Sequence, residues 1–397
     1  MKKRGLKRVL AAVFCIMMVF ALAACGNGGA NTPAEEAPAA ADTGSQDAAA
    51  PAGSSGAYTI GYLNFGPDWI LNEYMAEAKE VALWANPDNE WLEADGGYMA
   101  DQMTTKIQEL LASGAEALCY DAHFETMLTD TVDKCKQADA ALLIAHIPTF
   151  PERYDEIRAY DKFVGYFGSD LYQAGYQLGQ RAAADGGKIA IIASGAKGTI
   201  DMNGKIDGFT AGFEDGGGTI AQLITSTLPP EVEGLVSGAL ANHPDCDTIY
   251  GTTGAHTTSS LSAAEKAGLK DKINFYSSDL GPELIQMVID GDVKAGDAGS
   301  TVEWALGMTL LINFLDGHPI VDDSGRQPII DWMKPLLVDQ GNAADVKATW
   351  FDKHPVTEGL AKHFLWAYNP DISYTDYTDF ADSYSVDWYT NLQKQYS

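Results

Sequence analysis

The chain has 397 residues, with 55 acidic against 26 basic side chains and a formal charge of −29. That sign argues against nucleic acid as a partner and mainly keeps a surface protein soluble. The five cysteines fit no zinc-binding spacing and frame no disulfide scaffold.

Residues 1–24 read as a leader. Lys2, Lys3, Arg4, Lys7 and Arg8 precede an apolar run from Val9 to Ala24, short of the ~20 residues of a bilayer span and suited to a signal peptide. The five leader cations, once removed, take −29 to −34. The motif Leu22-Ala23-Ala24-Cys25-Gly26 resembles a bacterial lipobox, which implies lipidation of Cys25 and a membrane-anchored, outward-facing protein. Residues 25–57 lack Leu, Ile, Val and aromatics after Cys25, so they read as a disordered tether.

Ile60 to Asn64 predicts a strand that stops at Gly66-Pro67, followed by a helix from Trp69 to Trp84. Asp88 to Gly97 reads as a loop. Asp101 is expected to cap a helix with Met103, Ile107, Leu110 and Leu111 on one face, stopped by Gly114. Strands are predicted at 115–120, 140–145, 163–167 and 188–194, with helices at 126–137 and 171–185. The pattern then repeats, with helices at 203–215, 231–242, 256–268, 282–290 and 301–316. The strands between them fall at 219–225, 247–251, 273–279 and 293–298. Strands spaced by helices of this length imply right-handed βαβ units and parallel sheets, and residues 58–397 are enough for two domains. Asp290-Gly291-Asp292 with Asp297 reads as a solvated turn.

The order of these segments resembles the type I periplasmic sugar-binding proteins of ABC importers. The resemblance rests on Met103 to Asp121, on Phe163 to Asp170 followed by Ala174-Gly175 and Leu178-Gly179, and on Gly187 to Ile192 followed by Asp207-Gly208-Phe209. It extends to Ala267-Gly268-Leu269 and Tyr276 to Asp279. It implies an α/β fold of two Rossmann-like lobes, each a parallel sheet flanked by helices, joined by a hinge. One lobe is expected from residues 58–165 and 300–335, the other from 166–299 and 336–397. Crossings are expected near 163–168, 299–301 and 334–338.

In open α/β sheets ligands bind beyond the carboxyl ends of strands. The candidates there are Asn64, Phe65, Asp68, Trp69, Asp121 and His146 from the first lobe, and Asn203, Thr253, His256 and Asp279 from the second. Trp304 follows the second crossing. His123, Asp201 and Glu303 lie beside them. Rings can cover the C–H faces of a sugar while carboxylates and amides hold its hydroxyls, and such a site rejects analogues lacking a hydroxyl. Competing structural roles exist: Trp69 can be a core residue, and Asp121 can cap a helix. Asn203 and Lys205 stand where relatives carry arginines, and Thr253-Gly254 where they carry Asn-Asp, so a plain ribose- or glucose-like ligand does not follow.

No His-Glu-x-x-His, Gly-x-Ser-x-Gly or phosphate loop is present, so no catalysis, metal or cofactor is expected. Trp350 to Ser397 holds twelve aromatics in forty-eight residues, which predicts a packed segment, an extended wrap over the second lobe or an overhang of the cleft. The resemblance implies a monomeric solute-binding lipoprotein that passes a sugar to an ABC permease. A nucleoside-binding lipoprotein and a ligand sensor for a receptor kinase are the alternatives, and an anchored hydrolase the enzyme reading.

Overall fold

A computed structural model describes residues 57–396 apart from Thr149, Thr227 and Leu228. The leader, Cys25 and the tether as far as residue 56 lie outside the described residues.

The first lobe runs β1 (Thr59–Asn64), α1 (Trp69–Ala85), β2 (Glu90–Asp95), α2 (Ala100–Ala112), β3 (Ala117–Tyr120), α3 (Leu128–Ala138), β4 (Ala141–Ala145), α4 (Tyr154–Arg158) and β5 (Phe163–Ser169). The second runs α5 (Leu171–Ala184), β6 (Ile189–Ser194), α6 (Ile200–Asp215), β7 (Thr219–Thr225), α7 (Pro229–Asn242), β8 (Thr248–Gly251), α8 (Gly254–Lys266), β9 (Asn274–Ser277), α9 (Pro282–Asp290) and β10 (Ala295–Ala298). The chain returns through α10 (Thr301–Leu315) and β11 (Ile329–Met333), then crosses again into β12 (Leu336–Asp339). After α11 (Ala343–Val346) and a π-helical turn at Lys347–Phe351 come α12 (Glu358–His363), α13 (Tyr374–Ser383) and α14 (Val386–Gln395).

Two six-stranded sheets result, ordered β11-β5-β4-β3-β1-β2 and β12-β10-β9-β8-β6-β7. All neighbours are parallel except β10 and β12. The inner strands β3, β4 and β8 are buried along their whole length, as expected of a parallel sheet covered on both faces. The two orders are the same pattern repeated, so β4 and β9 hold equivalent places, as do β3 and β8.

The structure departs from the sequence reading at several places in the sheets and helices. Residues 90–95 form an edge strand, not a loop; Glu90, Glu93 and Asp95 face solvent there and conceal the apolar signal. Asp101 lies in the first turn of α2, whose cap position is Met99. The first crossing follows Ser169, because β5 stays in the first sheet throughout. Asp297 is a buried residue of β10, not part of a solvated turn.

The aromatic tail is helical, and beyond the π-helical turn, which lies against α9, it packs on the first lobe. α12 lies against α1 and α10, and α13 against β11. The cause is α10, which is apolar almost all round, with twelve of its fifteen residues buried. A helix of that kind needs cover on every side. The first sheet covers one side and the tail the other. Tyr377 Oη pairs with Thr309 Oγ1 at 2.8 Å, and Asn313 Nδ2 donates to the Phe364 carbonyl at 2.9 Å, so the tail meets two of the buried polar side chains of α10. Tyr384 Oη donates to the Gly299 carbonyl at 2.7 Å, on the second crossing. Gly299 has φ +90, and a Cβ there would lie 2.5 Å from that hydroxyl, so both backbone and space demand glycine.

Candidate ligand-binding cleft

The carboxyl ends of the two sheets face each other. His146 follows β4 and Asp279 follows β9, equivalent places in the two sheets, and both take the left-handed conformation, φ 63 and φ 55. Non-glycine residues adopt it at a cost of about 1–3 kcal/mol, and such strain gathers at functional sites.

On the first wall, Asn64 Nδ2 donates to Asn72 Oδ1 at 3.1 Å, while its own Oδ1 has no hydrogen-bond partner among the described residues. Asp68 caps α1, accepting from the Leu71 amide at 3.0 Å, and takes a 3.3 Å bond from Tyr98 Oη. Burial raises its pKa, and the charge of Asp279 across the cleft adds to the shift. Trp69 is 36% exposed. Its ring closes on Gly281 of the second lobe, where a Cβ would lie 2.4 Å from it. Phe65 stacks on the His123 imidazole with centroids 3.6 Å apart and meets Tyr98 and Phe124 edge-on. One face of that ring is therefore taken by a protein group.

Asp121 is fully buried, and neither carboxylate oxygen has a hydrogen-bond partner among the described residues. Burial pushes its pKa up to about 7, with Asp201 and Glu303 adding and His146 opposing. His123 sits between Asp121 at 3.9 Å and Asp201 of the second lobe at 3.8 Å. These distances are too long for hydrogen bonds, and both ring nitrogens are otherwise unpartnered among the described residues. Burial lowers its pKa to about 4. His146 Nδ1 lies 2.8 Å from Glu303 Oε2, and Ser169 Oγ donates to the other carboxylate oxygen. Burial alone would lower the His146 pKa, but Glu303 overrides it and the net shift is upward.

On the second wall, Lys205 Nζ reaches Asp279 at 2.8 and 3.0 Å. Burial opposes its charge, but Asp279, Asp297 and Asp201 outweigh that and raise its pKa. Asp297 takes the Asp279 amide at 3.0 Å, and burial beside Asp279 pushes it up to about 6. Thr253 Oγ1 pairs with His256 Nδ1 at 2.7 Å, and His256 Nε2 with the Ser226 carbonyl at 2.9 Å. Asn203 accepts from the Gly198 amide at 3.1 Å and so shapes the loop before α6. The middle of α6 packs closely on α5, where a Cβ on Gly208 would lie 2.0 Å from the Tyr172 carbonyl oxygen.

The cleft thus brings together Asp68, Asp121, His123, His146, Asp201, Lys205 and Asp279, with Trp69 at its rim. Trp304 does not join them. It is fully buried against Tyr62 of β1, with ring centroids 4.7 Å apart, because it sits on the face of α10 turned to the sheet. Tyr74, whose hydroxyl lies 2.6 Å from Ser300 Oγ on the second crossing, was concealed in sequence by its place on the apolar face of α1. A crevice beside Asp279, bordered by Ile70, Ser300, Trp350 and Phe351, measures about 10 Å3, room for a single water-sized group at most. A larger surface hollow of about 480 Å3 borders Arg181, Asp185, Lys294 and Asp339. It lies at the opposite ends of the strands, and Arg181 is already bound by Asp185 and Asp339.

Residues 64–318 match the family model described as periplasmic binding protein domain. Three solved structures are similar across nearly their whole length. A solute-binding protein from Bacillus halodurans with bound myo-inositol is 18% identical, with TM-score 0.64, covering 75% of this chain and 99% of that one. The periplasmic component of the arabinose ABC transporter from Shewanella sp. ANA-3, bound to α- and β-L-arabinofuranose, is 17% identical, with TM-score 0.63 and coverage of 74% and 96%. A solute-binding protein from Actinobacillus succinogenes with bound D-allose is 15% identical, with TM-score 0.63 and coverage of 72% and 99%. No curated protein matches the chain significantly. The chain belongs to the periplasmic binding protein family, with the two-lobed type I fold.

Proposed function

We propose that the protein captures a small polar ring ligand, a sugar or polyol, between its two lobes and delivers it to an ABC permease while held to the membrane by lipid on Cys25. The observation that carries this reading is the set of buried polar groups at the facing strand ends, above all the two unpartnered oxygens of Asp121. Buried polar groups of native proteins are paired, and ring hydroxyls supply the missing donors. The proposed contacts are Asn64, Asp121, His146 and Asp279, with Trp69 against a ring face. Asp68, Asn203, Thr253 and His256 shape their surroundings through the bonds described above, and Phe65 orients His123.

The crevice of about 10 Å3 beside Asp279 is too small for a ring, so a ligand requires the lobes to part. Hinge motion at the three crossings, 169–171, 298–301 and 333–336, provides this. The ligand then favours the closed arrangement by its higher affinity for it, and the permease reads that arrangement. The sugar-bound neighbours support this reading through the shared fold. A thermal-shift screen of sugars, polyols, nucleosides and amino acids tests it. A ligand at a hundredfold over its dissociation constant adds about 2.7 kcal/mol. A shift with nucleosides and none with sugars or polyols would overturn the ligand class.

A further inference from the structure

The polar groups of the cleft are unbalanced in charge. Six carboxylates, Asp68, Asp121, Asp201, Asp279, Asp297 and Glu303, face one lysine, Lys205, and the histidines His123, His146 and His256. Lys205 is engaged by Asp279, and His146 by Glu303. His256 is tied to Thr253 and the Ser226 carbonyl, and one Asp68 oxygen caps α1.

Asp121 is left over, and Asp201 is met only in part: against its burial, His123 and Lys205 lower its pKa, yet one of its oxygens keeps no hydrogen-bond partner among the described residues. The two aspartates come from opposite lobes, are 0% and 5% exposed, and flank the same imidazole at 3.9 and 3.8 Å. Both oxygens of Asp121 and Oδ1 of Asp201 are unpartnered among the described residues. A buried charge is costly unless it is both hydrogen-bonded and paired. Ring hydroxyls bring hydrogen bonds but leave the charge. An ammonium brings three donors and the opposite charge together. Among the described residues no cluster of three or more His, Cys, Asp or Glu side chains is arranged to hold a metal ion, which favours an organic cation.

We propose that the ring bound between the lobes carries a protonated amine, which seats against Asp121 and Asp201 so that closure brings a carboxylate from each lobe onto one ammonium. This rests on the reading that a ring ligand binds in the cleft, and it narrows that class to amino sugars and aminated polyols. One cation shared by both lobes ties charge recognition to closure, since neither lobe alone supplies both carboxylates.

Calorimetric titration near neutral pH tests it. The probes are D-glucosamine, D-galactosamine and D-mannosamine, each beside its neutral parent hexose and its N-acetyl derivative, and an aminated inositol beside myo-inositol. At least one amine is expected to bind about tenfold or more tightly than both its neutral counterparts. Asp121→Asn and Asp201→Asn are each expected to remove most of that preference. As the check on folding, Asp121→Asn should melt at or above the parent protein, and Asp201→Asn, which takes a carboxylate from Lys205, somewhat lower but still cooperatively. A neutral sugar bound as tightly as its amine, or a preference unchanged in both variants, overturns the charged-ligand proposal and leaves ring capture standing. No binding of any hexose, polyol or amino sugar overturns both.

Discussion

The two walls of the cleft are built on the same strand order yet differ at the ends of β4 and β9, although one oxygen each of Asp201 and Asp297 on the second wall is also unpartnered among the described residues. At the end of β9, the Asp279 carboxylate is held by Lys205, and its backbone amide donates to Asp297. Beside it, Thr253 and His256 satisfy each other. At the equivalent place in the first sheet, His146 is held by Glu303, but Asp121, His123 and one atom of Asn64 keep unused hydrogen-bonding capacity. The second wall is a preassembled ion pair, rigid and costly to disturb. The first holds groups whose partners must come from elsewhere. On the proposed function, the second lobe mainly sets the geometry and the first supplies more of the free hydrogen-bonding groups.

The largest test of that contrast is Lys205→Met. It leaves Asp279 and Asp297 buried beside each other without a cation and is expected to cost about 3–5 kcal/mol in denaturant unfolding. A cost below about 1 kcal/mol would show that the second wall is not a preassembled pair. Asp121→Asn should act in the opposite direction. The folded pKa of Asp121, about 7, lies above its unfolded value, so the native state binds the proton more tightly. Stability is then lost as pH rises from about 4 to about 7. His123, held down to about 4, works the other way over part of that range in both proteins. The difference between the two stability curves should thus open with pH, reaching on the order of 2–4 kcal/mol in favour of the variant. Parallel curves would mean that Asp121 is already compensated.

Smaller effects follow at the rim. Gly281→Ala puts a methyl where Trp69 packs, so it should hinder closure and weaken ligand binding about tenfold. Melting should change by less than about 1 kcal/mol, because Trp69 is partly exposed. Thr253→Ala is expected to be the mildest, with affinity within about threefold and a stability loss near 1 kcal/mol from the broken bond to His256. A greater loss of affinity there than in Asp121→Ala would reverse the division between the walls.

The sheets were legible because the inner strands are continuous apolar runs between helices of regular length. β2 was not, since an edge strand with Glu90 and Glu93 facing water carries half the signal. The tail's packing was hidden because α10 reads as an apolar helix whichever surface covers it. Ser373 with Asp376 three residues on, a capping box in the structure, was the local sign that a helix follows. Strand ends placed Asp121, His146 and Asp279 in the cleft, since topology alone sets that position. What each end touches was beyond local reading. Whether Phe65 shows its face to a ligand depends on His123, and whether Trp304 faces cleft or core depends on the rotation of α10.

The tail also links the lobes mechanically. α11 packs on α9 of the second lobe, α12 on α1 and α10 of the first, and Tyr384 holds the crossing at Gly299. Any opening of the cleft must carry this brace with it.

The most direct measurement is the affinity of a ring ligand from the thermal-shift screen for two variants, Asp121→Ala on the first wall and Asp279→Ala on the second. Capture between the lobes predicts that each loses at least about tenfold, about 1.4 kcal/mol, with the larger loss at Asp121. Full affinity in either variant, with the protein still folded, would contradict binding between the two walls.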